Sequence, residues 1–199
     1  MKDKRKAEEI FKEAYQLAYK DEKKRNRPWT KIRLLWQESA NLGHIRSLFY
    51  LGTCYDFGLG IERDLKKAFK YYLKAAKLGH RDSQYNVGFF YHTGEIFEVD
   101  EKKKIFWYKK AANKGLVDAQ RDLGYAYFYG EGVKKDYKEA IKLYKKAAMK
   151  DDNKALYNLG LCYKWGDGVL KSIRWSKYYF QKASSLGNRK AKTELKRLE

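Results

Sequence analysis

An all-α fold of antiparallel helix pairs, stacked as a solenoid, is the architecture this 199-residue sequence predicts. The first observation behind it is a fixed step of 36. Gly52, Gly88, Gly124 and Gly160 are separated by it, as are Tyr55, Tyr91, Tyr127 and Tyr163, and Gly58, Gly94, Gly130 and Gly166. A repeat of about 20 to 50 residues marks an array whose units bury their apolar faces against one another. The second observation is the phase inside each unit, where small and apolar residues return at helical offsets. The third is composition: a single Pro leaves both halves of every unit free to be helical, and 35% charged residues suit helices with a solvated face better than a β-sandwich.

Four units follow one another without insertion, at 44–79, 80–115, 116–151 and 152–187. The first helix of each carries a small residue, an aliphatic, the glycine and the tyrosine on one face, as in Ser83, Val87, Gly88 and Tyr91. A helical glycine costs about 1 kcal/mol relative to Ala, so its return in every unit predicts a neighbouring helix too close for a Cβ. The helix stops at a glycine turn such as Gly130-Glu131-Gly132, and Asp64, Asp100, Asp136 or Ser172 is placed to cap the second helix. That helix is amphipathic, with Ala140, Leu143, Tyr144, Ala147 and Ala148 in the third unit. It ends at Gly79, Gly115 or Gly187, with Asp151 the exception. One period earlier, Trp36, Ala40 and Gly43 fall in register, so residues 1–43 read as a degenerate leading repeat. Its first helix is expected at 6–20, with Gln16 and Tyr19 in the glycine and tyrosine slots, its charged turn at 21–27 and its second helix at 30–41. Residues 188–199 repeat only the start of a unit, through Ala191 and Leu195, which predicts a polar C-terminal capping helix.

The pattern A-x-x-x-L-G-x-x-Y, then G-x-G-V-x-x-D, then W/Y-Y-x-K-A-A-x-x-G resembles the Sel-one-like repeat, a relative of the tetratricopeptide repeat. The resemblance covers residues 44–187 and departs locally: Ile96 stands in place of the second turn glycine and Lys104 in place of a helix alanine. It implies a right-handed α-α superhelix and a non-enzymatic adaptor, scaffold or dedicated binder.

Sites for chemistry are sparse. His44 and His80 share one repeat slot beside a helix end, and His92 is the remaining histidine. No H-E-x-x-H, Cys-x-x-Cys or His-carboxylate cluster at ligand spacing occurs, so no catalytic residue, metal or cofactor is expected. The Gly-x-Gly turns lack the G-K-[ST] ending of a phosphate loop. Cys54 and Cys162 occupy one slot three repeats apart and read as buried small hydrophobes. With no apolar run long enough to span a membrane and no apolar segment behind the charged N-terminus, a cytoplasmic location is expected.

What varies between units is where a partner can be recognised. By resemblance to tetratricopeptide arrays, three variable rows on the first helices would line a concave groove. They present Phe49, Tyr85, Arg121 and Tyr157, then Phe89 and Tyr125, then His92, Phe128 and Lys164. Aromatic rings beside Arg supply binding hot spots, although the same rings can instead pack between units as core. The net charge of +20 is spread along the chain, from an excess of five over 1–43 to two in each of the middle units. The expected partner is another protein, acidic or presenting a peptide segment, which the chain could sequester or inhibit. The alternative, nucleic acid on the basic surface, is weakened because only 11 of the 45 basic residues are Arg and no recognition motif is present.

Overall fold

The computed structural model describes residues 2–20 and 26–198, and most of the charged turn expected at 21–27 lies outside them. Eleven α-helices and no strand are found among the described residues. They are α1 (Lys2–Tyr15), continued by a turn of π-helix (Gln16–Lys20), α2 (Trp29–Asn41), α3 (Ile45–Phe57), α4 (Leu65–Lys77), α5 (Arg81–Thr93), α6 (Glu101–Asn113), α7 (Val117–Tyr129), α8 (Tyr137–Ala148), α9 (Asn153–Trp165), α10 (Ile173–Ser185) and α11 (Arg189–Lys196). The chain forms two compact units, Met1–Val99 and Asp100–Glu199. Within each, consecutive helices joined by short turns pack on one another, which makes neighbours antiparallel.

Local chemistry sets the helix boundaries. Asp64, Asp100, Asp136 and Ser172 each accept a hydrogen bond from the backbone N–H three residues on, capping α4, α6, α8 and α10. His44 and His80 do the same for α3 and α5 through Nδ1, so two of the three histidines are helix caps. At the other end of α8 the chain turns through Asp151 at φ 58, a conformation that its counterparts reach with glycine.

The recurring helical glycine is a contact point. A Cβ on Gly52 would lie 2.6 Å from the Tyr72 ring, and one on Gly160 would lie 2.5 Å from Phe180. The second turn glycine joins one repeat to the one before it: a Cβ on Gly168 would meet Tyr137 Cβ at 2.6 Å, at the start of α8. Where Ile96 replaces that glycine, the neighbouring Phe97 sets its ring 4.8 Å from Phe69 of the preceding second helix. Lys104, in an alanine slot, is buried with its ammonium on Glu101 and 3.5 Å from Glu131.

The leading repeat differs from the pattern that Gln16 and Tyr19 were expected to complete. Both side chains are exposed, and the buried stripe of this segment is Ala7, Phe11, Ala14 and Ala18. With no glycine at position 16, close approach is not available. Trp36, which occupies the slot of Tyr72, stacks instead on Tyr50 at 4.6 Å.

Candidate functional site

In the first unit, α3 and α5 present their variable rows on either side of an open cavity of about 530 Å³, with Tyr72 of α4 at its floor. Of the residues expected to bind a partner, Phe49, Tyr85 and Phe89 line it. Phe49 is half-buried, 5.8 Å from Tyr72 and 4.9 Å from His80, so it also braces the wall. Phe89 is exposed. His92 is exposed as well but lies beyond the cavity lining, its ring 6.4 Å from that of Phe89.

The polar edge of this cavity is not basic. Burial raises the Asp56 carboxyl above the ordinary range, opposed by a hydrogen bond from the Tyr72 hydroxyl at 3.3 Å and by the charge of Arg63. Arg63 donates Nε to the Asp56 backbone carbonyl at 2.8 Å and stands 4.0 Å from Glu95, so one guanidinium joins the end of α3 to the carboxylate that follows α5.

In the second unit the expected residues divide. Tyr125 is exposed, its ring 4.4 Å from that of Tyr129. Phe128 and Tyr157 are half-buried against the core, Phe128 4.9 Å from Tyr137 and Tyr157 5.7 Å from Phe180. These two rings follow the packing alternative.

The expectation that Arg121 and Lys164 stand open among the rings requires correction. Arg121 is 12% exposed and donates to Asp122 at 2.7 Å, Asp118 at 2.7 Å and Asp152 at 3.1 Å. Burial acts to lower its pKa, but the three carboxylates outweigh that and hold it above the ordinary value. Lys164 donates to Glu194 of α11 at 2.5 Å, and Glu194 also accepts from Arg197 at 2.7 Å. Both cations link helices inside the unit, because each has a carboxylate within reach at a site shielded from water.

One row escaped the sequence reading. The last residue of the first helix, before the turn glycine, is Phe57, Thr93, Tyr129 or Trp165. Its aromatic members are among the most exposed large hydrophobic residues described, Phe57 at 70% and Trp165 at 64%. The signal was the same one that selected the other rows, variation between units at a fixed slot. Among the described residues no group of three or more His, Cys, Asp and Glu is placed to hold a metal ion, and no helix is long and apolar enough to cross a membrane.

Comparison with known proteins places this geometry. The family model of the Sel1 repeat matches residues 45–80, 81–116, 117–152 and 153–188. No curated protein matches the chain. Among solved structures, a Sel1 repeat protein from Oxalobacter formigenes aligns over 95% of this chain and 76% of its own, with a TM-score of 0.85 and 28% identity. The protective antigen c5321 of uropathogenic Escherichia coli, which has an SLR fold, aligns over 95% of this chain with a TM-score of 0.88 and 29% identity, and this chain spans 40% of its length. The immunity protein Pa5087 from Pseudomonas aeruginosa aligns over 94% of this chain and 68% of its own, with a TM-score of 0.59 and 26% identity.

Proposed function

We propose that this chain, which belongs to the Sel1 repeat family, is a non-enzymatic module that holds a segment of one partner protein against the aromatic rows of its first helices. Sel1 repeats mediate protein–protein interaction, and the observation that carries the finer reading is the open cavity of the first unit. Phe57 and Phe89 are apolar, solvated and gathered with Phe49 and Tyr85 around one hollow, the arrangement in which a buried anchor side chain contributes most to binding. The likeness to Pseudomonas immunity proteins supports a dedicated binder over a general scaffold. In this reading residues 1–43 and 188–199 close the two ends of the repeats, and the protein works in the cytoplasm. An acidic partner is favoured through the charge of +20, which speeds encounter, while rings supply the contact.

The nucleic-acid alternative draws less support. Asp56 and Glu95 would repel phosphate at the cavity, and Arg121 and Lys164 are already engaged with carboxylates. The test is affinity capture from native lysate with the wild-type chain and with Phe57→Ala plus Phe89→Ala, with and without nuclease. One protein partner is expected, insensitive to nuclease and retained roughly tenfold or more weakly by the variant, since each lost anchor is worth about 1 to 2 kcal/mol. Capture that is unchanged in the variant, or abolished by nuclease, defeats the reading.

A further inference from the structure

The outer side of the fourth repeat departs from its three counterparts. The slot two residues before the second-helix cap is Glu62, Glu98 and Lys134, then Leu170. The third residue of that helix is Lys67, Lys103 and Glu139, then Trp175, and the sixth is Lys70, Phe106 and Lys142, then Tyr178. Leu170 is 91% exposed, and Trp175 and Tyr178 are each 49% exposed. Eight of the nine counterparts at these slots are charged, Phe106 being the exception, whereas all three are apolar here, an exposed group of the kind that marks an interaction site. Packing does not require the exchange. The Lys67 ammonium covers the Tyr55 ring at 5.6 Å, and Trp175 stands in the same relation to Tyr163 at 6.2 Å.

The charge around these residues is one-sided. Residues 168–193 contain seven Lys and Arg and no Asp or Glu, the longest acid-free run in the chain. Lys182 pairs with Asp151 at 3.0 Å, whereas Lys171, Arg174, Lys177, Arg189, Lys190 and Lys192 form no ion pair among the described residues. On the neighbouring start of α8, Glu139 is paired with Lys142. Along α10, residues 174, 175 and 178 fall within an arc of about 100°.

We propose that the turn 168–172 and this side of α10 dock the second unit on an anionic lipid surface. Leu170 and Trp175 seat in the headgroup boundary, and Lys171 and Arg174 meet lipid phosphates. An aliphatic side chain standing out from a turn offers a nucleic-acid base nothing to stack on, and an acidic protein would leave it in water unless it brought a matching hollow. A bilayer boundary accepts Leu, Trp and Tyr at one depth with Lys and Arg above them. The attachment is peripheral and reversible, with a steep loss at high salt.

The experiment is co-sedimentation of the full chain with vesicles of phosphatidylcholine alone or mixed with phosphatidylglycerol, beside a single-stranded DNA titration. The wild-type chain is expected on the mixed vesicles only. Leu170→Lys with Trp175→Lys installs the residues that Lys134, Lys67 and Lys103 supply in other repeats and adds two positive charges. Membrane seating predicts roughly tenfold or weaker binding for this variant, from the loss of two buried apolar side chains. Attraction by charge alone predicts tighter binding, which overturns the proposal. So does tighter binding of the DNA that the variant weakens. As a second readout free of the double variant, brominated lipid is expected to quench wild-type tryptophan emission more than that of Trp175→Phe. Equal quenching overturns the proposal.

Discussion

A Cβ on Gly160 would sit 2.5 Å from the Phe180 ring, and that ring is fully buried. Gly160→Ala is therefore expected to cost about 2 kcal/mol by overpacking, with the melting temperature lowered by roughly 4 °C or more on circular dichroism. An unaltered transition would refute close approach as the reason for this glycine. The contact was legible from periodicity, since a costly residue recurred at a helical slot. Its partner was not, because the ring that forbids the Cβ belongs to another helix. Arg121 teaches the converse. Its slot varies between repeats as a contact residue's would, yet Asp118, Asp122 and Asp152 surround it, and Asp152, the cap of α9, is close only because the fold returns the chain to α7 after α8.

Caps and turns are decided over a few residues, so boundaries were readable from single letters such as Asp64 and Ser172. The closing helix α11 depends on longer-range chemistry. Its Glu194 is nearly buried and bonded to Lys164, which holds the carboxyl below its ordinary value of 4.5, against burial and with help from Arg197. A lowered folded pKa contributes stability that is present above the unfolded value and lost as pH falls through the folded one. Glu194→Gln is expected to cost about 2 kcal/mol at neutral pH, because the Lys164 ammonium loses its charge partner in a shielded site. The gap between variant and wild type should close as pH drops below 4.5, read as converging melting temperatures. A gap independent of pH would show that packing, not the ion pair, anchors α11. At the opposite end, the π-helical turn at Gln16–Lys20 was not readable, since nothing in the spacing of that segment signals a wider winding.

At the scale of the whole molecule, each compact unit holds one cysteine in its core. Cys54 and Cys162 are fully buried, and burial pushes both thiols up to about 12. Neither is expected to react with a disulfide reagent at mildly alkaline pH in the folded protein, and both should react once denaturant opens the units. Fast labelling of either thiol in the native state would contradict its place in the core. Taken alone, the sequence determined the repeat, its 36-residue step, the helix pairs and their caps, because these follow from local backbone chemistry and from a period that an array must keep in order to stack. It also singled out Phe49, Tyr85, Phe89 and Tyr125 as ring-bearing variable positions. Only the tertiary structure decided which rings meet water, that Phe57, Tyr129 and Trp165 are exposed, and that Arg121 and Lys164 are not free. Exposure and charge pairing are properties of the space between helices, and residues 20 to 31 apart in the chain, such as Gly160 with Phe180 and Arg121 with Asp152, fill that space.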